Sequence, residues 1–582
     1  MWALFAALAA IGVAVGMTAW LAPSLFRMLA GDDERQLNDD HARPLAEGTP
    51  TALILAIDGV DRALLYEMLR DGELPRLAEL LGGRREGDGR EGGEREGGTL
   101  PHAHLDETLL APLPTSTLTS WATLFTGEIP AVHGVAGNEY FIREERRYAG
   151  PAPVSVFAPE LVLRTYADGY ANDLLAVPTV YERMRDADPR FTAWVSMSHF
   201  YRGADMLLLA DRTVVAEAFG ALLSHTADGF DLYATLDREV VETLTEALED
   251  DPLPQLLTVY LTGADLYAHG SPDGPDPARR RYLREVVDEV VGELARVLDE
   301  RGSTEHRYVI VLSDHGHSEV GHDDQYALGM DDENDPPEVV ATAGYRLRPF
   351  EVEVDDSHDY NAVLVYGGAM AYAYVADRSS CPEPGMRCDW SRPPRFDEDV
   401  VPLAEAFHAA SPRGEGVPAL RDALDMVLVR PRVGEPMEVY LGDGRTTPIR
   451  AHLEEHARPS YVEFEERLRD LTIGPKGHHA GDIILLANNG NEAVREHRYY
   501  FAGLYHSWHG SPSRQDSEIP LILAHPRRTS RELAALVRDA TGARTDATEI
   551  VALLEAILRD ESWVQIPPWR NDCAKKEPDL SV

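Results

Sequence analysis

Three apolar runs along the chain each lead into an aspartate. They are TALILAI (51–57), LLTVYL (256–261) and RYVIVL (307–312), and they are followed by Asp58, Asp265 and Asp314. Each run has the length and the aliphatic content of a buried strand rather than of a helix. The pattern therefore predicts three strands, each with a carboxylate just beyond its end.

A helical pattern lies between the second and the third run. From about Ala278 to Glu300, apolar residues recur at helical spacing, namely Leu283, Val286, Val287, Val290, Leu294, Val297 and Leu298. A strand, a helix and a strand in this order are typical of a βαβ crossover. We therefore expect an α/β fold whose central sheet is mostly parallel, with helices on both faces. The carboxyl ends of such strands face one crevice, where the three aspartates should converge.

The rest of the pattern divides the chain into regions. We expect a catalytic α/β core at 51–323, a cap subdomain with insertions at 324–480, a return to the core at 481–560 and a tail at 561–582. Residues 361–377 read as strands around a glycine turn, and residues 481–488 as a further strand. The glycine-rich stretch 82–98 can bury almost nothing, so we expect a disordered surface insertion.

The N-terminal region is apolar. No charged residue occurs from Trp2 to Phe26, which is long enough to span a bilayer as a helix. Residues 1–30 are expected to be a transmembrane anchor or a signal segment, with the uncleaved anchor favoured over a buried helix, and 31–50 to be a polar stalk. We therefore expect the protein to be attached to a membrane or exported, with its catalytic domain in the periplasm or outside the cell.

Cysteine usage bears on the same compartment. Cys381 and Cys388 flank a short loop and would suit either a disulfide or a reduced pair, and Cys573 is left over. Together with the apolar N-terminus, the pair favours an exported catalytic domain.

The overall charge excludes one class of partner. The chain has 55 basic and 99 acidic residues, a net charge of −44. Such a surface repels polyanions at long range, so we expect no nucleic-acid binding.

Two of the aspartates are accompanied by histidines. Asp265 and His269 are four residues apart, and Asp314 and His315 are adjacent. Each pair offers one carboxylate oxygen and one imidazole nitrogen, a set that suits zinc and tolerates manganese or iron. On its own, either pair is more typical of two solvated side chains at the surface that bind no metal. Their shared position after strands favours two metal ions.

A hydroxyl-rich segment could supply a reactive group. In 112–141, a loop leads into a short helical pattern, with Ser116, Thr117, Thr119 and Ser120 near its start. A hydroxyl there is either a helix cap or a nucleophile favoured by the helix dipole and a metal. The local sequence leaves both interpretations open.

The order of these motifs resembles the alkaline phosphatase superfamily, in particular its type I phosphodiesterase/nucleotide pyrophosphatase branch. The resemblance covers about Thr51 to Pro526. The matching motifs are Asp58-Gly59, Pro114-x-x-Thr117, Thr126-Gly127, His133-Gly134, Asp265-x-x-x-His269, Ser313-Asp314-His315-Gly316 and His509-Gly510.

This resemblance implies residue roles. Asp58, Asp314 and His315 would hold one divalent metal together with Thr117, and Asp265, His269 and His509 would hold the other. Thr117 would be the nucleophile, with Ser116 as the alternative, and Asn138 would donate to a phosphate oxygen.

Several other histidines compete for the last ligand position. His506, His478 and His479 are weaker candidates than His509. His317 and His322 are interpreted as outer residues of the site or as exposed ones, and His133 as a structural turn residue.

The resemblance also implies the activity, a metal-dependent hydrolysis of phosphoric esters through a phosphothreonine. Asn138 in place of an arginine favours small diesters over monoesters. The alternatives are a phosphomonoesterase, a membrane-anchored phospho-group transferase and a non-catalytic binding protein. A sulfatase is disfavoured because the chain has no Cys/Ser-x-Pro-x-Arg segment.

Overall fold

The structure is a computed structural model. It describes residues 34–36, 44–46, 48–82, 100–156, 158–210, 214, 229–303, 306–329, 335–355, 358–488 and 498–559. The expected membrane segment (1–30), the tail (561–582), nearly all of the glycine-rich insertion and part of the stalk lie outside these residues. Within the expected stalk, Glu34–Gln36 forms a strand that pairs with Met206–Leu208. Among the residues described, no helix has both the length and the apolar character that crossing a membrane requires.

The strands are numbered along the chain. They are β1 Glu34–Gln36, β2 Thr51–Ile57, β3 Ala103–Asp106, β4 Tyr140–Ile142, β5 Arg147–Ala149, β6 Ala193–Ser196, β7 Met206–Leu208, β8 Leu256–Leu261, β9 Arg307–Leu312, β10 Ser318–Glu319, β11 Ala362–Gly367, β12 Met370–Val375, β13 Leu424–Val429, β14 Glu438–Tyr440, β15 Thr446–Pro448, β16 Ile483–Ala487, β17 Ser507–Trp508 and β18 Leu521–Ala524.

The α-helices follow the same convention. They are α1 Arg62–Arg70, α2 Pro75–Leu80, α3 Thr117–Thr126, α4 Pro130–His133, α5 Pro159–Ala167, α6 Tyr170–Asp173, α7 Val180–Ala187, α8 Phe230–Asp250, α9 Gly263–Gly270, α10 Pro275–Tyr282, α11 Asp288–Glu300, α12 Pro336–Thr342, α13 Val401–Arg413, α14 Ile449–Glu455, α15 Phe464–Thr472, α16 Arg514–Ser517, α17 Ser530–Thr541 and α18 Ile550–Leu558.

An eight-stranded sheet forms the centre of the fold. Its order is β1-β7-β6-β8-β2-β9-β18-β3. The strands from β7 to β9 run parallel, whereas β1 and β18 are antiparallel to their neighbours and β3 is antiparallel to β18. The predicted α/β fold with a mostly parallel sheet is confirmed as a mixed sheet with a parallel centre.

The central strand β2 is buried on both faces. Ala52, Ile54 and Ala56 belong to one apolar core, and Leu53, Leu55 and Ile57 belong to the other. Side chains alternate between the faces of a strand, so a continuous apolar run fits a strand covered by helices on both sides. The expected helical layers on both faces are confirmed.

The helix predicted between β8 and β9 is present. The chain continues from α10 through one π-helical turn, Leu283–Val287, into α11. The apolar positions that predicted this helix are all buried, and they pack in the second of the two cores. The predicted crossover therefore joins parallel strands, with β2 inserted between β8 and β9.

A second sheet of six strands lies beside the first. Its order is β11-β12-β16-β13-β14-β15, and all of its pairings are antiparallel. The predicted hairpin within 361–377 is β11 and β12. The strand predicted at 481–488 exists as β16, but it pairs with β12 and β13 rather than with the central sheet. The chain rejoins the central sheet only at β18.

Cys381 and Cys388 form a disulfide in the segment that follows β12. Both residues are buried, and they lie in the same apolar core as Phe141 and Trp390. Of the two states that the sequence left open, the structure therefore contains the oxidised one.

A buried arginine joins the amino ends of the central strands. The guanidinium group of Arg307, which is 1% exposed, donates to the carbonyl oxygens of Ala52 and Pro254 and to Ser303 Oγ. Burial lowers the pKa of Arg307 to about 10. Because these acceptors lie next to β2, β8 and β9, this one side chain fixes the relative positions of the three strands that carry the predicted site.

Replacing this arginine should destabilise the fold. We expect Arg307→Met to lower the free energy of unfolding by about 2–4 kcal/mol, because two buried carbonyl groups lose their donors. Thermal and urea unfolding followed by circular dichroism would measure this change. Arg296→Met is the control, since Arg296 forms ion pairs only with Glu293 and Glu300 on a solvent-exposed helix face. Equal stability of the two variants would contradict the role of Arg307.

Candidate active site

The predicted ligands meet at the carboxyl ends of β2, β8 and β9. In the register of the sheet, Ile57 of β2 pairs with Leu261 of β8, and Ala56 pairs with Leu312 of β9, so the three strands end at the same level. Three groups of ligand atoms form there, each within 4.8 Å: the two predicted groups, Asp58 with Asp314 and His315 and Asp265 with His269 and His509, and a third group that joins Asp265, His315 and His317. The expected convergence of the aspartates is confirmed.

Each carboxylate of the first group has one oxygen held by the protein. Asp58 Oδ2 accepts a hydrogen bond from the Tyr260 hydroxyl, and Asp314 Oδ1 accepts from the backbone N–H groups of Gly59 and His315. The other oxygens, Asp58 Oδ1 and Asp314 Oδ2, are buried without a hydrogen-bond partner in the described structure. Buried acceptors of this kind normally have a partner, and a cation would satisfy both.

The histidines are oriented toward these oxygens. In His269, His315 and His509, Nδ1 lies 2.8–3.0 Å from the backbone carbonyl oxygens of Ser507, Gly316 and Thr115, respectively. A carbonyl only accepts, so Nδ1 carries the hydrogen and Nε2 keeps its lone pair. Nε2 of His315 lies 3.5 Å from Asp58 Oδ1 and 3.3 Å from Asp314 Oδ2. This arrangement is typical of histidine ligands of metals.

His317 is a fourth histidine at this site. Its Nε2 lies 2.7 Å from Asp265 Oδ1, and its Nδ1 lies 3.1 Å from Ser507 Oγ. The Ser507 hydroxyl donates to the Ala268 carbonyl, so it accepts from His317. The side chain is fully buried rather than exposed, and its ring lies within reach of ligand atoms of Asp265 and His315, so His317 could itself bind a cation.

Gly59 allows these groups to approach one another. Its φ is +71°, and a Cβ atom there would lie 2.8 Å from Asp265 Oδ1 and 2.9 Å from His317 Nε2. Both the left-handed conformation and the close approach require glycine. The Asp58-Gly59 pair is thus explained by packing as well as by ligand chemistry.

The site concentrates buried negative charge. Burial, followed by the nearby charge of Asp314, raises the pKa of Asp58 well above its usual range. Burial also raises the pKa of Asp314. The pKa of His317 falls to about 3 and that of His509 also falls, in both cases mainly through burial. Burial thus favours the neutral imidazole of His509, and a cation bound between the groups would offset the charge of the carboxylates.

Thr117 is the first residue of α3. Its Oγ1 lies 3.2 Å from His315 Nε2, within reach of the first ligand group. Ser116 donates instead to Thr119 Oγ1. Thr115 accepts a hydrogen bond from Gly510 N at its Oγ1 and donates to the Ser511 carbonyl, so the start of α3 is tied to the segment that carries His509.

Asn138 lies beside the same helix start. Its Oδ1 accepts from the backbone N–H of Leu118, at 3.1 Å. This bond fixes the amide so that its Nδ2 remains as a donor. The structure therefore brings all the predicted site residues together.

The contact of Tyr260 with Asp58 was not predicted, because the direction of a side chain within a buried strand depends on the sheet. Of the competing histidines, His478 and His479 lie outside this site, in a separate group with Glu144. His322 and His506 stack at 3.9 Å, and the backbone N–H of His506 donates to the His269 carbonyl. His133 bonds to Thr123 and Val135, as expected of a structural residue.

Carboxylate and histidine clusters at the ends of parallel strands, next to a hydroxyl at a helix start, define an α/β protein with a site suited to divalent cations. The sequence agrees with this class. The profile of the type I phosphodiesterase/nucleotide pyrophosphatase family matches residues 52–512, so the chain belongs to that family.

Individual relatives are more distant. An uncharacterized pyrophosphatase/phosphodiesterase of Schizosaccharomyces pombe is 31% identical over 144 residues, which are 24% of this chain and 29% of that protein. Murine ectonucleotide pyrophosphatase/phosphodiesterase 5, in an inactive form with AMP, is 13% identical with a TM-score of 0.46, covering 88% of this chain and 95% of that one. The human ectonucleotide pyrophosphatase/phosphodiesterase 5 is also 13% identical, with a TM-score of 0.46, and the match covers 87% of this chain and 94% of that one.

Neutralising Asp58 should have opposite effects with and without metal. In protein stripped of metal by a chelator, we expect Asp58→Asn to raise the free energy of unfolding, because burial and the nearby charge of Asp314 disfavour the ionised carboxylate. With Zn²⁺ added, we expect the wild type to gain more stability than the variant. Thermal unfolding with and without Zn²⁺ measures both effects.

Asp399→Asn is the matched control. Asp399 is also buried, but it is paired with Arg395, so its loss should lower stability with and without Zn²⁺. A wild-type protein that Zn²⁺ does not stabilise would contradict a cation site at Asp58.

Proposed function

We propose that the protein hydrolyses small phosphoric diesters at a site for two divalent metal ions, with Thr117 as the nucleophile. The observation that carries the proposal is the position of Thr117 Oγ1, 3.2 Å from His315 Nε2 and at the start of a helix. Family membership supports the reaction class.

The metal-binding roles follow the two ligand groups. Asp58, Asp314 and His315, with the Thr117 oxygen, would hold one ion, and Asp265, His269 and His509 would hold the other. Three nitrogen and three carboxylate ligands suit zinc, with manganese or iron as alternatives. Such ions lower the pKa of hydroxyl groups and water and stabilise charge on phosphate oxygens.

Thr117 carries the covalent chemistry. Its Oγ1 forms a bond to phosphorus while the bond from phosphorus to the leaving alcohol oxygen breaks. The hydroxyl proton of Thr117 is passed on to that oxygen, so the products are a phosphothreonine and the free alcohol. Water then attacks the same phosphorus and releases Thr117. The start of α3 would lie next to the bound anion, as helix starts commonly do, although the N–H of Leu118 there already donates to Asn138 Oδ1.

Asn138 supports a preference for diesters. Its amide is held by Leu118 N, so Nδ2 can donate to a non-bridging phosphate oxygen. A neutral donor matches the single negative charge of a diester better than the double charge of a monoester. The family description makes nucleotide diesters and pyrophosphates the first natural substrates to test.

We also infer an oxidising location outside the cytoplasm. The disulfide between Cys381 and Cys388 supports it, since such bonds are rare in reducing compartments. The uncharged run from Trp2 to Phe26 supports attachment to a membrane or export.

Removal of the nucleophile is the main test. We expect Thr117→Ala to lower kcat on bis(p-nitrophenyl) phosphate at least about 10³-fold, and the wild type to prefer this diester to p-nitrophenyl phosphate. Ser116→Ala is the matched comparison and should retain activity.

If Ser116→Ala lost activity while Thr117→Ala kept it, Ser116 would be the nucleophile. An inactive wild type with bound metal would favour a binding protein, and transfer to an added alcohol would favour a transferase.

A further inference from the structure

A second group of metal-ligand side chains lies outside the active site. It consists of Glu144, His478 and His479, called here the Glu144 cluster, whose ligand atoms lie within 4.8 Å of one another. Glu144 follows β4, and the two histidines lie in the 3₁₀ turn Gly477–Ala480 before β16. His478 Nε2 is 2.9 Å from Glu144 Oε1. Two distant chain segments therefore contribute to one cluster.

The hydrogen bonding of His479 leaves a lone pair without a partner. Its Nδ1 lies 2.7 Å from the Gly134 carbonyl oxygen, so Nδ1 carries the hydrogen and donates it. Its Nε2 is buried and has no hydrogen-bond partner among the described residues. The residue is 4% exposed, and its ring stacks on Tyr140 at 5.2 Å. A backbone carbonyl on one nitrogen and a free lone pair on the other are typical of a histidine that binds a metal.

The surrounding charges are balanced. Arg143 and Lys476 lie near His478, and both lower its pKa. Arg143 is paired with Asp482 and donates to the Val375 carbonyl. With Glu144 and Asp482 ionised, two negative charges offset two positive ones before any cation binds.

We propose that the Glu144 cluster binds one divalent cation of the zinc class, separate from the ions of the active site. Two imidazole nitrogens and one carboxylate oxygen are a known ligand set for zinc, and water from the exposed side of Glu144 completes it. The inference does not depend on the proposed phosphodiesterase function.

A cation there would stiffen the segment that carries Asn138. His479 holds the Gly134 carbonyl on one side of Asn138, and Glu144 lies on the other side. Tyr374 of the second sheet donates to the His479 carbonyl. The ion would join the segment 134–144 to the second sheet, and so fix a predicted substrate donor from outside the site.

Counting bound zinc tests the proposal. The untagged full-length chain, solubilised in mild detergent, is stripped with a chelator, dialysed against Zn²⁺ and analysed for zinc by mass spectrometry. We expect His478→Ala and Glu144→Gln to bind one equivalent fewer than the wild type, or to bind that equivalent at least about 10-fold more weakly. His479 is left unchanged because its ring is part of the core.

The control is Glu455→Gln with His456→Ala. These exposed neighbours also place an imidazole nitrogen and a carboxylate oxygen 3.9 Å apart, but they lack a buried third ligand. This variant should bind as much zinc as the wild type. Equal zinc content and affinity in the wild type and His478→Ala would overturn the proposal. One equivalent in the wild type and none in His478→Ala would support it while contradicting the two-metal active site.

Discussion

Three aspartates are buried together at the ends of three adjacent strands, and the rest of the site is arranged around that concentration of like charge. Burial disfavours the ionised form of both Asp58 and Asp314, and the nearby charge of Asp314 adds to this effect for Asp58. They are held in place by the Tyr260 hydroxyl and by the backbone of Gly59 and His315. These donors fix one oxygen of each carboxylate and leave the other for a cation. Folding therefore buries carboxylates whose negative charge a bound cation would offset.

Distant parts of the chain meet at this site through a few hydrogen bonds. Thr115 bonds to Ser511 across 396 residues, which ties the start of α3 to the segment with His509. That segment also supplies Ser507, which accepts from His317 and whose carbonyl accepts from His269. The strands of the second sheet lie between β9 and the segment with His509 in the chain. The folding of this sheet is therefore linked to the arrival of His509 beside the aspartates.

The central strands and the ligand aspartates could be predicted because a buried parallel strand leaves a continuous apolar run, and Asp58, Asp265 and Asp314 follow such runs. The roles of Thr117 and Asn138 came from family resemblance, and the structure places both beside the ligands. Tyr260 could not be found, because the direction of its hydroxyl depends on packing. The position of β16 in the second sheet could not be predicted either, since an apolar run does not specify which strands it pairs with.

The helix that begins with Thr117 has no face in contact with solvent, for all ten of its residues are buried. Trp121 on this helix packs edge-on against Tyr260, which in turn holds Asp58. The Thr117 hydroxyl therefore belongs to a buried helix, whereas the acidic residues that give the chain its charge are mostly at the surface. Evolution or engineering could therefore remodel the surface for salt tolerance or solubility without disturbing the geometry of the chemistry.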